Sequence, residues 1–415
     1  MKKVKPGRLD GTVTAPPSKS MMQRAVAAAA LAHGPSVLLN PSFCEDALAA
    51  LCIAEGLGAE VKRESMKVRI DGGGQPRGHR LACGESGLCM RLFTPLAALF
   101  ERPFTLTATG SLGSRPMAAL EKPLRALGAK CQTHYGLPPI AVRGPIRGGR
   151  VSLDGSMSSQ VASGFLMALP LCPQDSALSV SHLKSKPYLR MTLSLLKEFG
   201  ISIHHDETLR RFEIPGKQAY HPRTYRVEGD WSGGAFLLVA GAIAGRVKVK
   251  GLSEKSLQAD RAILEALTRA GAEVEPERDA VRVERGGLRS FEFDATDCPD
   301  LFPPLVALAC HCQGRSVIQG TERLKHKESD RALALVREFR KMGARIRVND
   351  GKMEVTGKSL KGGEISSHHD HRIAMACAVA GLQSDKGVSI RDGMCIAKSY
   401  PKFFDDLEAL RRKGR

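Results

Sequence analysis

The chain has 415 residues, enough for two or three domains, and 42% of them are hydrophobic, enough for a sizeable core. Its formal charge of +19 attracts anions, which leaves nucleic acid, an anionic membrane or phosphorylated metabolites as partners. The basic residues are scattered apart from MKKVK and RRKGR at the two ends, and one Trp and five Tyr offer no stacking track, so the composition argues against nucleic acid.

Six segments, taken in chain order, each read as an amphipathic helix running into a glycine. They are EDALAALCIAEGLGAEV, RPMAALEKPLRALGAKC, KPYLRMTLSLLKEFGISI, ADRAILEALTRAGAEV, SDRALALVREFRKMGARI and PKFFDDLEALRRKGR. Their glycines, Gly58, Gly128, Gly200, Gly271, Gly343 and Gly414, recur every 70 to 72 residues. Four positions before each stands an apolar residue: Ala54, Leu124, Leu196, Leu267, Phe339 or Leu410. That spacing predicts one buried face per helix and a left-handed glycine at its end. In the first five units an alternating segment such as AEV or ARI follows and reads as a strand, as do KVRID, RVSL, VKVKG and SVIQG elsewhere.

A second helix recurs in every unit, rich in Ala, Leu and Met. A short polar cluster precedes it: PSKS (17–20), GESG (84–87), SMSS (156–159), DWSGG (230–234), DCPD (297–300) or HHDH (368–371). Ser, Asp and Gly ahead of an apolar run are helix-start signals. The period is too long for common solenoid repeats and too short for one independent α/β domain, so six units divide most simply into two groups of three, with a boundary near 225–232. Helix N-termini favour anions, so several converging starts would build an anion site.

Three of the motifs carry chemistry. In PPSKSMMQR (16–24), Lys19 at a helix start suits a phosphate or carboxylate. In KHKESDR (325–331), helical spacing would put Lys327 and Arg331 on one face beside Glu328. In HHDHR (368–372), His368, His369, Asp370 and His371 suggest a metal, but four adjacent residues cannot converge on one ion without an irregular loop, and no HExxH or paired CxxC supports it. Asp370 as a helix cap and Arg372 as an anion ligand is the better account. Eleven cysteines in no regular framework, no apolar signal core, and no run approaching the roughly 20 apolar residues of a membrane span lead us to expect a cytoplasmic protein with free thiols.

Together PPSKS, KESDR, DHRIAM (370–375) and AKSYP (397–401) resemble the 5-enolpyruvylshikimate-3-phosphate synthases. Further matches fall in order along the chain: SRP at 114–116, DGSMSSQ at 154–160, SKPY at 185–188 and PD at 299–300. The resemblance runs from about residue 8 to the C-terminus. It implies a two-domain inverse α/β barrel of six α/β units, three per domain, spanning 14–227, and 1–13 with 228–415, around a cleft that holds the active site. It implies transfer of the enolpyruvyl group of phosphoenolpyruvate to shikimate-3-phosphate, with no metal or organic cofactor, and a monomer is the default expectation.

The resemblance also implies residue roles. Lys19, Ser20, Arg24, Ser158, Ser159, Gln160, Ser185, Tyr188, Asp300 and Lys327 would bind shikimate-3-phosphate. Lys19, Gly87, Arg115, Gln160, Arg331, Arg372 and Lys398 would bind phosphoenolpyruvate. Asp300 would serve as base at the attacking hydroxyl and Glu328 as acid at the enol methylene. Cations beside Glu328 oppose its staying protonated, so Lys19 or a shared proton is an alternative. The chain departs from the family in CGESGLCMR (83–91), where Gly87 and Arg91 persist but Glu85 replaces the usual asparagine and Leu88 a common threonine. A carboxylate there should weaken phosphoenolpyruvate binding, and glyphosate inhibition with it, unless Arg115 or another cation pairs with it. Arg323 or Lys325 would replace another substrate contact. The related transferase acting on UDP-N-acetylglucosamine is disfavoured, because ATGSLGSRP (108–116) lacks its loop cysteine.

Overall fold

A computed structural model describes residues 1–411, so Gly414 and the last four residues of the chain lie outside the described residues. The polypeptide divides into two compact units, Lys19–Val227, and Met1–Ser18 with Glu228–Arg415.

Each unit contains three sheets. In the first they comprise the strands 34–39, 60–63, 67–72 and 224–226; 80–82, 104–107, 130–134 and 137–143; and 149–154, 176–181, 204–205 and 211–214. Chain order within the second and third is βαβαββ. The first two strands pair in parallel across a helix, as Gly149–Asp154 does with Ser176–Ser181, and a hairpin completes the sheet. A parallel pair requires such a crossover, which places one helix against each of these two sheets.

The six helices that follow the polar clusters are the inner ones. Lys19–Leu31, Gly87–Ala97 and Gln160–Ala168 are the inner helices of the first unit; Trp231–Ala244, Phe302–Cys310 and His371–Gly381 those of the second. All residues of Gly87–Ala97, Phe302–Cys310 and His371–Gly381 are buried, so their Ala, Leu and Met content fills the centre of each unit rather than one amphipathic stripe. The few aromatics that the inner helices carry, Phe93, Phe165, Trp231, Phe236 and Phe302, are fully buried among these small side chains.

The other helices end as the sequence predicts. Gly58, Gly128, Gly200, Gly271 and Gly343 have φ between 84° and 106°, a region open to glycine at no steric cost. In all five the residue after the glycine donates to the carbonyl of the apolar residue four before it: Ala59 to Ala54, Ala129 to Leu124, Ile201 to Leu196, Ala272 to Leu267 and Ala344 to Phe339. Both members of each pair are buried, which completes the hydrophobic contact of a Schellman cap. Leu410 of the sixth helix is buried in the same manner.

Two sheets are completed by distant segments. Leu9–Thr14 pairs in parallel with Gly245–Lys250, and Thr224–Arg226 pairs in parallel with Val37–Leu39. Lys2–Val4 pairs antiparallel with Val388–Arg391, making the sixth sheet three-stranded. The expected division at residue 13 shifts to 18, because Ala15 donates to Lys250 O and Ser18 to Glu228 O, so the strand continues along its own unit before leaving it. Among the described residues no helix is long and apolar enough to cross a membrane.

Candidate active site

In the first unit, hydrogen bonds join the starts of all three inner helices. Lys19 Nζ lies 2.8 Å from Asp46 Oδ2, both largely buried. One turn on, Gln23 Nε2 donates to Ser86 Oγ at 2.8 Å and to Asp46 O at 2.9 Å, while Ser86 itself caps Gly87–Ala97 by accepting from Cys89 N. Arg91 Nη1 donates to Gln160 Oε1 at 2.9 Å, linking the second helix to the third. Arg24 is 1% exposed and donates to Ser20 O at 2.9 Å and Thr192 Oγ1 at 2.9 Å, with Ser163 Oγ at 3.5 Å. Burial lowers its pKa to about 10, which leaves it charged at neutral pH.

The other predicted residues of this unit sit at the same ends of its helices. Ser158 Oγ accepts from Gln160 N at 3.1 Å, and Ser159 directly precedes the helix, 2% exposed. Ser185 precedes Lys186–Glu198 with φ 58°, and Tyr188 lies in its first turn, where its carbonyl accepts from Thr192. A Cβ on Gly87 would lie 2.8 Å from Arg91 Nη1 and 3.1 Å from Arg115 Nη1, so two guanidinium groups converge beside a helix start. Such a place favours an anion twice, through the guanidinium forks and the free N–H groups. Leu88 points into the core and is buried, which suits leucine better than a hydroxyl.

In the second unit the corresponding ends carry a six-membered ion cluster. Asp300, in the turn before Phe302–Cys310, accepts from Arg331 Nη1 at 2.9 Å, Lys327 Nζ at 3.2 Å and Arg372 Nη2 at 3.0 Å. Arg331 is fully buried and also reaches Asp370 Oδ2 at 2.9 Å and Glu328 Oε2 at 2.5 Å. Asp370 caps His371–Gly381 through Arg372 N, as the sequence suggests, and its carboxylate is committed to Arg331 and Ser329 rather than to a metal. Lys398 Nζ donates to His369 O at 2.7 Å, tying the AKSYP segment to the loop ahead of that cap.

The electrostatics follow from this geometry. Burial pushes the Asp300 pKa up, but Arg372, Lys327 and Arg331 outweigh it and hold the carboxyl well below the usual range. Burial lowers the Lys327 pKa, and the charge of Asp300 only partly restores it. Burial lowers that of Arg331 too, yet Asp370, Glu328 and Asp300 carry it above its ordinary value. Asp260, 1% exposed and bonded to the Ser232 hydroxyl, moves the other way: burial first, then the charge of Asp300, raise its pKa to about 7.

One local expectation is corrected. Lys327–Ser329 form a bend, and the helix begins only at Arg331, where Asp330 caps it through Leu333 N. Lys327 and Arg331 therefore meet through a shared carboxylate, Asp300, rather than through helical spacing. Arg323 Nη1 donates to Thr296 O at 2.9 Å. Asp46, Gln23, Asp260 and Glu338 escaped the sequence reading. Glu338, on the helix Arg331–Lys341, accepts from Ser366 N at 2.9 Å and lies 2.8 Å from His368 Nε2, bracing the loop that leads to Asp370. No motif flags these four, because isolated acids and amides in amphipathic segments look like surface residues until packing encloses them.

A family model for EPSP synthase (3-phosphoshikimate 1-carboxyvinyltransferase) matches residues 3–407. The chain is 36% identical over 418 residues to a 3-phosphoshikimate 1-carboxyvinyltransferase of Clostridium perfringens, covering 99% of this chain and 98% of that one. It is 37% identical over 410 residues to that of Methanocorpusculum labreanum, covering 97% and 96%. Among solved structures, an EPSP synthase from Acinetobacter baumannii superimposes with a TM-score of 0.84 at 27% identity, over 99% of this chain and 98% of that one.

Proposed function

The chain belongs to the EPSP synthase (3-phosphoshikimate 1-carboxyvinyltransferase) family, and from that premise we propose how its two sets of side chains divide the reaction. The activity is transfer of the enolpyruvyl group of phosphoenolpyruvate to the 5-hydroxyl of shikimate-3-phosphate, with release of phosphate. Both substrates are anions, which accounts for the concentration of Lys and Arg at helix starts.

In this reading Lys19, Ser20, Arg24, Ser158, Ser159, Gln160, Ser185 and Tyr188 hold shikimate-3-phosphate, with Asp300 and Lys327 meeting its reacting side. Gly87, Arg115, Arg331, Arg372, Lys398, Lys19 and Gln160 receive phosphoenolpyruvate. Asp300 takes the proton of the 5-hydroxyl as its oxygen adds to the central carbon of phosphoenolpyruvate. Glu328 or Lys19 supplies a proton to the methylene carbon. The tetrahedral adduct then expels phosphate and returns a proton from the methyl group. Cations stabilise the charge that builds on the carboxylate and phosphate.

The observation that carries this reading is the convergence of Arg331, Lys327 and Arg372 on Asp300. Without substrate, three cations suppress the basicity of that carboxylate. Two anionic substrates would compete for the same cations, and as Arg372 and Lys327 turn to them, the pKa of Asp300 rises toward that of a working base. Phosphate release from phosphoenolpyruvate, measured with and without shikimate-3-phosphate and without added metal, tests the assignment. Release should need both substrates and fall by about 10²–10⁴ in Asp300→Asn. Undiminished release from that variant would remove Asp300 from the mechanism.

A further inference from the structure

The loop ahead of Gly87–Ala97 carries a carboxylate, Glu85, for which the division of labour above has no task. Glu85 Oε2 accepts from the Ser111 backbone N–H at 2.9 Å and from the Ser111 hydroxyl at 2.8 Å. The same hydroxyl accepts from Arg115 Nη2 at 3.1 Å. The turn is anchored at its other points by the bond from Thr109 N to Gly84 O at 2.9 Å and by the fully buried Leu112. Gly110 has φ 51°, and a Cβ there would fall 2.4 Å from Glu85 Cδ and 2.6 Å from both carboxylate oxygens, so the carboxylate rests against the bare face of the glycine. Arg115, at the end of this turn, brings Nη1 to the same point above Gly87 that Arg91 approaches.

We propose that Glu85 is a positioning residue for Arg115: acting through Ser111, its carboxylate holds the 109–115 turn so that the Arg115 guanidinium stands beside Arg91 over Gly87, where the enolpyruvyl donor binds. The inference rests on the assignment of Arg115 to phosphoenolpyruvate. Ser111 bridges the two charges, donating its O–H to the carboxylate while receiving an N–H from the arginine. A charged acceptor makes both of its bonds shorter and stronger than a neutral one would, and it discourages the cation from swinging into water. This arrangement also answers how an acid is tolerated next to an anionic substrate. One carboxylate oxygen, Oε2, is occupied by two donors of Ser111, and the guanidinium of Arg115 reaches the same serine. Glu85 therefore aims the donor-binding arginine instead of repelling the donor.

The test compares Glu85→Ala, Glu85→Gln, Ser111→Ala and the double variant Glu85→Ala/Ser111→Ala in the full chain. Glu85→Ala is expected to raise KM for phosphoenolpyruvate about tenfold, with kcat and KM for shikimate-3-phosphate within about twofold. Glu85→Gln keeps an acceptor oxygen and should recover KM to within about threefold of wild type. Ser111→Ala should raise the same KM, and the double variant should be no worse than Glu85→Ala within about twofold, because both changes break one bridge. Hydrogen exchange at the Ser111 amide, read without substrates, should quicken about tenfold in Glu85→Ala and little in Glu85→Gln. A lower KM for phosphoenolpyruvate in Glu85→Ala would mean that repulsion dominates, and it would overturn the proposal. Equal rises in both KM values, additive effects of the two changes, or unaltered Ser111 exchange would do the same. If the wild-type protein released no phosphate at all, the substrate assignment would fall, and the exchange data alone would decide whether the clamp exists.

Discussion

Asp260→Asn should make the protein more stable, and increasingly so as pH rises. Asp260 is enclosed by Ser232, Asp230, Asp300 and Arg372, and its pKa rises from the ordinary 3.8 to about 7, through burial first and the charge of Asp300 second. A carboxyl raised in this way favours the folded state below pH 3.8, where both states are protonated. It loses that contribution as pH climbs through 7, because the unfolded chain gives up the proton earlier. Between pH 5 and pH 8.5 the wild type should lose up to about 3 kcal/mol on this account, taking about 1.4 kcal/mol for each pH unit up to 7. Asparagine mimics the neutral acid in shape and cannot ionise, so the variant escapes the loss. Groups that titrate over the same range in both proteins cancel in the difference. If readjustment of Asp300 and Arg372 absorbs half, the remaining 1–2 kcal/mol should still separate the melting temperatures by about 2–8 °C more at pH 8.5 than at pH 5, for a cooperative unit of this size. Parallel thermal melts of both proteins at the two pH values provide the assay. A constant difference, or a variant that loses ground as pH rises, would refute the argument that Asp260 is folded in its neutral form.

Arg331→Met should cost about 3–5 kcal/mol, because Asp370, Glu328 and Asp300 would be left in a buried cluster without their common partner; a thermal melt measures the loss, and phosphate release should fall with it. Arg24→Lys keeps the charge but loses the fork that reaches Ser20 O, Thr192 and Ser163, so KM for shikimate-3-phosphate should rise by about tenfold or more while the melting temperature moves little. Gly87→Ala places a methyl group against two guanidinium ends, which can move aside; steady-state kinetics should show a raised KM for phosphoenolpyruvate with stability changed by less than about 1 kcal/mol. Turnover should persist after extensive chelation, since the proposed steps use only side chains.

Much of this architecture can be read along the chain because its determinants are local. A helix that closes in a left-handed glycine needs a glycine there and an apolar residue four positions earlier. Both are visible at Gly58, Gly128, Gly200, Gly271 and Gly343, and the observed caps have that form. The polar clusters also declare themselves, since Ser86, Asp230 and Asp370 cap helices that must begin where an apolar run does. Motif residues such as Lys19, Arg24, Asp300 and Arg372 could be named for the same reason, and they fall at these helix starts.

What lay beyond the linear pattern was decided by distance in the fold. Local pattern near residue 10 does not announce that Leu9–Thr14 will pair with Gly245–Lys250, and only the resemblance grouped residues 1–13 with 228–415; nor does anything near residue 225 announce that Thr224–Arg226 will complete the sheet of Val37–Leu39, where an open hydrogen-bonding edge selects the partner. The helical spacing of Lys327 and Arg331 misled because Asp330 caps the helix after Lys327, and their common carboxylate, Asp300, stands about 30 residues earlier. Glu85 reads in sequence as an acid out of place beside an anion site, and its meaning depends on Ser111 and Arg115 arriving from another segment. Local sequence thus specified which helices and caps form, through backbone preferences that act over a few residues. The partners and proton affinities of the buried charges depended on tertiary structure, because Coulomb and desolvation energies are set by neighbours in space and not by neighbours in the chain.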